Sequence, residues 1–211
     1  MTMQGVIFDL DGTLMDSMGS WSAMWEDLVD EFHLTRPARF TQDITPLGAV
    51  GTAKYMQKLG LNMEVDDIIA MFRDRIQNAY KDDILPKPGV PAYLEKLHRR
   101  GIPMCILTAT PSAIVLPCLE RNGLSEYFSF VSSCDDVHMP KGNPQIYPLT
   151  VDRLGTAMEN TVFFDDNLEA LTAGHTAGLY TVGVFDKSSE ADRPQIEAIT
   201  DRYITSFEEL L

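Results

Sequence analysis

Gly5-Val-Ile-Phe-Asp-Leu-Asp-Gly-Thr-Leu14 places a short apolar run directly before two aspartates and a glycine. An apolar, β-favouring run of this length is typical of a buried parallel strand, and open α/β sheets bind ligands beyond the carboxyl ends of such strands. Asp9 and Asp11 would lie there, with side chains that leave the strand in different directions. This arrangement suits a nucleophile beside a proton carrier, although the stretch alone also fits a strand followed by an Asx-type turn.

Composition and charge limit the class of protein to which this stretch belongs. The chain has 211 residues, of which 45% are hydrophobic and 23% charged, as in a globular protein with one domain and an insertion or with two small domains. Its net charge of -14 argues against binding to nucleic acid or to an anionic membrane, since both need a positive surface. A phosphorylated substrate would need a bound cation and a well-placed lysine to reverse the field at the site.

The cysteines and the N-terminal segment bear on the compartment. Cys105, Cys118 and Cys134 are odd in number and lack C-x-x-C spacing, so neither a disulfide framework nor a zinc site is indicated. Two aspartates interrupt the N-terminal apolar stretch, which argues against a signal peptide, and no apolar run has the length of a membrane span. We therefore expect a cytoplasmic protein.

The region after the two aspartates has helical periodicity throughout. Helices are predicted over residues 16–34, 47–59 and 65–81, with Ser17 or Ser20 as the first cap and a proline-containing loop over 35–46. The segment Leu85-Pro-Lys-Pro-Gly-Val-Pro91 then ends the helical pattern. This pattern predicts an all-helical insertion, residues 15–85.

Strands and helices alternate in the remainder of the chain. Strands are predicted at 102–107, 128–131, 161–164, 180–184 and 202–205, and helices at 90–99, 111–122 (with a kink or early break at Pro117), 144–154 and 167–177. Such alternation predicts an α/β fold with a doubly wound parallel sheet, in which right-handed crossovers place all strand carboxyl ends at one edge.

Polar residues that periodicity does not explain follow several predicted strands. They are Asp9, Asp11, Thr108, Lys141, Asp165 and Asp166. Each has a simple structural explanation, since a threonine can cap a helix, a lysine can lie in a solvated loop and acidic residues favour a helix start. Together, however, carboxylates from neighbouring strand ends would repel one another unless a cation or a proton holds them, which favours a functional site.

These residues resemble a known family. Asp9-Leu-Asp-Gly-Thr-Leu14, Leu107-Thr-Ala-Thr110, Lys141 and Phe163-Phe-Asp-Asp166 resemble, in this order, the four motifs of the haloacid dehalogenase superfamily. The helical insertion resembles the small cap of the subgroup with phosphoglycolate phosphatases and β-phosphoglucomutases. The resemblance implies a Rossmann-like core of residues 1–14 and 86–211, a helical cap of residues 15–85, and magnesium-dependent hydrolysis of a phosphorylated metabolite.

The resemblance also implies roles for single residues. Asp9 would be the nucleophile, Asp11 the general acid and base, and both would bind Mg²⁺, the latter through its main-chain carbonyl. Gly12, Thr108, Ala109 and Lys141 would hold the phosphoryl group, and Thr108 and Lys141 would position it for catalysis. Asp166 would be a direct Mg²⁺ ligand, whereas Asp165 occupies a place where close relatives often carry Glu and would be a ligand or lie just behind the metal.

Several alternative functions share this scaffold. A dehalogenase or a phosphonate hydrolase does not need the second aspartate, so Asp11 argues against both. A β-phosphoglucomutase-like phosphomutase shares all four motifs, but such mutases often carry Val where this chain has Thr13, and basic cap residues for a second phosphate, whereas 47–59 offers only Lys54 and Lys58. A non-catalytic binding protein would be favoured by a missing motif residue, and none is missing. We therefore predict a phosphatase, as a monomer or weak homodimer.

Overall fold

The computed structural model describes residues 2–38, 40–44 and 48–211. The chain divides into two compact units, one made of the segment ending at Asp16 together with Leu85–Leu211, and the other of Ser17–Ile84. The first unit is larger at both crossings than the expected 1–14 and 86–211. The reason is backbone pairing, because Met15 bridges to Pro86 and the Asp16 amide donates to the Leu85 carbonyl at 2.9 Å.

The first unit is built on one six-stranded sheet. Its strands are β1 (Gly5–Phe8), β2 (Met104–Thr108), β3 (Phe130–Ser133), β4 (Thr161–Asp165), β5 (Tyr180–Val184) and β6 (Arg202–Ile204), in the order β3-β2-β1-β4-β5-β6. All neighbouring strands are parallel, which confirms the predicted fold class. β1 lies between β2 and β4, with Phe8 opposite both Ile106 and Phe164.

Both faces of this sheet are covered by apolar side chains. On one face Ile7 and Phe163 belong to a cluster with residues of the crossover helices, including Tyr147 and Leu171. On the other face Phe8 stacks on Phe164 with ring centroids 5.0 Å apart, and both rings contact Tyr93 and Phe207. A central strand buried on both faces must be apolar at successive positions, which explains why Val6-Ile7-Phe8 shows no alternation.

Helices connect the strands of the first unit. They are α5 (Val90–Arg99), α6 (Ser112–Arg121), α7 (Cys134–Val137), α8 (Ile146–Leu154), α9 (Leu168–Ala177) and α10 (Arg193–Ile199), with short 3-10 helices at Ser125–Tyr127, Met158–Asn160, Lys187–Asp192 and Phe207–Leu210. The predicted early break at Pro117 is wrong, because α6 continues through that residue. Asn167 caps α9, since its side chain accepts from the amides of Glu169 and Ala170.

The second unit is helical in its described residues. It contains α1 (Met18–Glu31), α2 (Phe40–Ile44), α3 (Gly48–Lys58) and α4 (Val65–Asp82), and the predicted helix start at Leu47 lies outside the described residues. The expected continuous loop over 35–46 is wrong, because Phe40 and Ile44 are buried one helical turn apart and Phe40 packs against Trp25 and Tyr55. No described helix combines the length and apolar character needed to cross a membrane.

Candidate active site

Three adjacent strands deliver polar groups to one edge of the sheet. β1 ends immediately before Asp9, β2 ends at Thr108, and β4 ends at Asp165. The Asp9 amide donates to the Phe164 carbonyl at 2.9 Å, so the pairing of β1 with β4 continues to the point where the carboxylates begin. The parallel register therefore brings together residues that lie more than a hundred positions apart in the sequence.

Three carboxylates form a buried acidic cluster at this edge, which we call the aspartate cluster: Asp9, Asp165 and Asp166. Each offers one oxygen atom, and these atoms all lie within 4.8 Å of one another. The three residues are 3%, 0% and 6% exposed, respectively. Carboxylate oxygens in such a group are the ligands that hard divalent cations prefer, so the donor set fits a metal ion.

Lys141 neutralises only part of this cluster. Its ammonium donates to Asp9 and, at 2.8 Å, to Asp165, and its side chain is 12% exposed. Burial lowers the pKa of Lys141, but the charges of Asp165 and Asp9 outweigh burial and raise it well above its usual value. Three carboxylates and one ammonium leave a formal charge of -2, which a divalent cation would balance.

Protons compete for the cluster when no cation is bound. Burial raises the pKa of Asp9 to about 8, against the opposing charge of Lys141 and with a contribution from Asp165 and Asp11. Burial also raises the pKa of Asp166, and the charges of Asp165 and Asp9 add to that effect. The site thus holds a proton or a cation in preference to bare negative charge.

Asp11 is held apart from the cluster by two threonines. The Thr110 hydroxyl donates to Asp11 Oδ2 at 2.7 Å and the Thr108 hydroxyl lies at 3.5 Å from the same oxygen, while the Thr110 amide donates to Thr108 Oγ1. Asp11 is half-buried and Ala109 is exposed between the threonines. The sequence motif contains Thr110, but its contact with Asp11 could not be foreseen from spacing alone.

Gly12 and Thr13 shape the turn between the two aspartates and the rest of the chain. Gly12 has a φ of +79°, and a Cβ there would lie 2.7 Å from Asp166 Oδ2, so both the backbone conformation and the space require glycine. The Thr13 hydroxyl donates to Asp166 Oδ1 at 3.1 Å. The turn therefore packs directly on the Asp166 carboxylate.

Two further residues support the site, and the sequence did not single out either. The Tyr147 hydroxyl lies 2.8 Å from the main-chain oxygens of both Lys141 and Ala170. The Lys87 ammonium donates to the Gly12 carbonyl and lies 2.8 Å from Asp186 Oδ2. Both residues bond mainly to backbone or to distant carboxylates, which leaves no local signal in the sequence.

We expect the metal-free protein to lose stability as the pH rises. The pKa of Asp9 is about 8 in the folded protein against 3.8 for an ordinary aspartate, so between these values the folded form keeps a proton that the unfolded chain has released. This stabilisation is complete below about pH 4 and is lost as the pH rises through about 8. Thermal melts in chelator measure it, and a melting temperature that increases from about pH 6 to about pH 9 would contradict it.

Comparison with known proteins shows the family to which this chain belongs. Residues 6–184 match the sequence model of the haloacid dehalogenase-like hydrolases. The chain is 31% identical over 189 residues to a probable phosphatase, IndB, of Dickeya dadantii, with 85% of this chain and 80% of that protein covered. It is 28% identical over 182 residues to the phosphorylated carbohydrates phosphatase of Thermotoga maritima, covering 84% and 82%.

A solved structure supports the fold. The crystal structure of CbbY from Rhodobacter sphaeroides in complex with phosphate superimposes with a TM-score of 0.85, covering 99% of this chain and 96% of that one at 22% identity. At this identity the similarity concerns the fold.

Proposed function

Because the chain belongs to the haloacid dehalogenase-like hydrolases, we propose that it is a magnesium-dependent phosphatase that hydrolyses small phosphorylated metabolites through an aspartyl phosphate. The aspartate cluster carries this proposal. It places a buried carboxylate, Asp9, beside an ammonium group and two further carboxylates with a formal charge suited to a divalent cation. Asp11, two residues further on, supplies a second carboxyl group that stays outside the cluster.

The proposed reaction has two steps. An Asp9 carboxylate oxygen attacks phosphorus and forms a P–O bond to the enzyme while the bond from phosphorus to the leaving oxygen breaks, and Asp11 donates a proton to that oxygen. A water molecule then attacks phosphorus, the bond to Asp9 breaks, and Asp11 takes the proton of the water. Thr108 and Lys141 position the phosphoryl oxygens together with the backbone at Gly12 and Ala109.

The cluster would hold the cation through Asp9, Asp165 and Asp166, and through the Asp11 main-chain carbonyl. When bound, Mg²⁺ supplies positive charge that reduces the repulsion between a carboxylate and a doubly negative phosphate ester. Because burial raises the pKa of Asp9 to about 8, Asp9 would have to release its proton for a cation to bind there near neutral pH.

The relatives support the class of substrate. One relative is a phosphorylated carbohydrates phosphatase and another is a probable phosphatase, which agrees with a small phosphorylated metabolite as the substrate. We assign Ser17–Ile84 as the cap of this family, and we propose a cytoplasmic monomer or weak homodimer, in line with three free cysteines. No observation in the described residues favours a phosphomutase over a phosphatase.

The test is phosphate release from p-nitrophenyl phosphate and from a panel of sugar and short-chain phosphates, with Mg²⁺ and with chelator. We expect release that requires Mg²⁺. Conversion of β-glucose 1-phosphate in the presence of a bisphosphate primer, without phosphate release, would show a mutase instead. Tight phosphate-ester binding without turnover would show a binding protein.

We also expect Mg²⁺ to raise the melting temperature through the aspartate cluster, because cation binding removes the repulsion between its carboxylates. Mg²⁺ at about 100 times its dissociation constant stabilises the folded state by about 2.7 kcal/mol. For a chain of this size that corresponds to an increase on the order of 5–10 °C. Asp166→Ala should lose most of this increase, as measured in thermal melts with Mg²⁺ and with chelator.

Asp152→Ala is the matched control, since Asp152 is an exposed aspartate on α8. It should keep the full Mg²⁺ effect. An equal Mg²⁺ effect in Asp166→Ala and in wild type would remove Asp166 from the set of ligands.

A further inference from the structure

We propose that Lys87 is a positioning residue that holds the Gly12 turn against Asp166 and thereby sets the geometry of the cation site. This inference rests on the proposed function, and it adds a residue outside the four motifs to the machinery of that site. Lys87 lies in Leu85–Pro88, the segment that returns the chain from the helical unit to the sheet unit.

The Lys87 ammonium has an acceptor for each of its three N–H donors. The group donates to the carbonyl of Gly12, to the carbonyl of Phe185 at 2.8 Å, and forms an ion pair with Asp186 Oδ2 at 2.8 Å. An ammonium has three N–H donors, so each has one acceptor. The Lys87 side chain is 14% exposed and that of Asp186 is 7% exposed, so this is a largely buried pair rather than a surface ion pair.

Asp186 is itself fixed by its neighbours. Its Oδ1 accepts from the amide of Ser188 at 2.8 Å and from the Ser188 hydroxyl at 2.7 Å, at the start of the 3-10 helix Lys187–Asp192. Lys87 therefore links the Gly12 turn to the two residues just after β5, where the Phe185 carbonyl and the Asp186 carboxylate hold its ammonium. The Lys87 amide also donates to the Leu14 carbonyl at 2.9 Å, a main-chain contact that a substitution at this position keeps, whereas the contact with Gly12 depends on the Lys87 side chain.

Gly12 transmits this contact to the cation site. It lies between Asp11, whose carbonyl we assign to the cation, and Thr13, whose hydroxyl holds Asp166. A Cβ at Gly12 would lie 2.7 to 2.9 Å from three atoms of the Asp166 carboxyl group, so the turn and that carboxyl group are already in close contact. The Gly12 amide keeps its hydrogen bond to the Met15 carbonyl at 3.1 Å, but loss of the Lys87 donor would free the Gly12–Thr13 peptide to rotate. A small rotation there would shift both the Thr13 hydroxyl that holds Asp166 and the neighbouring Asp11 carbonyl.

The sign of the effect separates positioning from simple electrostatics. Lys87→Met removes one positive charge near the aspartate cluster and leaves the Asp186 carboxylate unpaired. If Lys87 acted only through its charge, the more negative site would bind Mg²⁺ more tightly. If Lys87 positions the turn, the same variant binds Mg²⁺ more weakly, by the roughly 10- to 100-fold that loss of a residue behind a metal site commonly produces.

The experiment is calorimetric titration of Mg²⁺ into metal-free wild type and variants, together with kcat and KM for p-nitrophenyl phosphate. Lys96→Met is the matched control, since Lys96 on α5 also donates to two main-chain oxygens, those of Leu210 and Leu211, both at 2.7 Å. We expect weaker Mg²⁺ binding and a lower kcat in Lys87→Met, with KM at saturating Mg²⁺ little changed, and wild-type values in Lys96→Met.

A double variant controls for any loss of folding that the unpaired Asp186 causes in Lys87→Met. Lys87→Met with Asp186→Asn removes both charges, so the net charge near the site equals that of wild type and no buried carboxylate lacks a partner. It still lacks the donor to Gly12, and it should bind Mg²⁺ as weakly as the single variant. Wild-type or tighter Mg²⁺ affinity in this double variant, or a loss of melting temperature with unchanged Mg²⁺ affinity, would overturn the inference.

Failure of the proposed function gives a different pattern. Wild type that binds Mg²⁺ but hydrolyses no ester would overturn the phosphatase proposal, while the affinities of the variants would still decide the role of Lys87. Wild type that binds no Mg²⁺ would overturn both the metal assignment and the role of Lys87.

Discussion

Replacement of Asp9 by asparagine is expected to abolish hydrolysis of every phosphate ester. The amide cannot form the bond to phosphorus, and removal of the nucleophile from an enzyme with a covalent intermediate costs on the order of 10⁶-fold in kcat. The loss should be complete for alkyl and aryl esters alike, because neither can transfer its phosphoryl group to the enzyme without the nucleophile. Phosphate release measures the loss, and intact mass of acid-quenched protein should show no phosphorylated species.

Asp16→Asn is the matched control, since Asp16 is an exposed aspartate a few positions further along the same stretch. It should retain wild-type activity. The intact mass of Asp9→Asn must also exclude deamidation back to aspartate, which would restore a small amount of active enzyme. Residual turnover of about one per cent without deamidation would contradict a nucleophilic role for Asp9.

Replacement of Asp11 by asparagine should give a defect that depends on the leaving group. The variant keeps the main-chain carbonyl and a side chain that can still bond to Thr110, but it loses the proton donor and acceptor. An alkyl phosphate needs a proton on its departing oxygen and should react roughly 10²- to 10⁴-fold more slowly, the usual contribution of a positioned acid or base. The nitrophenolate of a p-nitrophenyl ester leaves without that proton, so formation of the aspartyl phosphate from this ester should be slowed less.

The second step still needs a base in this variant, and the aspartyl phosphate should therefore accumulate. Rapid-quench measurements with p-nitrophenyl phosphate should show a burst of nitrophenol and phosphate bound to the protein. The alkyl and aryl esters serve as each other's control within one protein. Equal losses for both, with no burst, would mean that Asp11 is not the proton carrier.

The sequence predicted those parts of the fold that local signals specify. Asn167 and Gly178 delimit α9, because one caps the helix with its side chain and the other ends it with a φ of +96°. β3 lies two residues further along than predicted, at Phe130–Ser133, because its position follows from pairing with β2, in which Cys105 is opposite Phe130. The short helices α2, α7 and α10 were not predicted, since their lengths of 4 to 7 residues are too short to show clear periodicity.

The residues of the candidate site likewise fall into two groups, those that the sequence could predict and those that it could not. Asp9, Lys141, Asp165 and Asp166 could be predicted because their residue types at strand ends have few structural explanations in combination, and the structure brings them together. Lys87 could not be predicted, because its three acceptors lie 75, 98 and 99 positions away and two of them are main-chain carbonyls. A carbonyl group is present at every residue, so a side chain that binds one carries no pattern in the sequence.

The pairing of Met15 with Pro86 and of Asp16 with Leu85 has a consequence for how this chain can change during evolution. The residues that flank the 17–84 segment are held side by side within the sheet unit, so we expect a different folded segment with adjacent ends to be accepted there without a change in any strand or its register. The segment can thus be exchanged as a cassette between relatives, as in a chimaera built at Asp16 and Leu85. We expect the aspartate cluster to keep its geometry in such a chimaera, because all three of its carboxylates lie in the sheet unit.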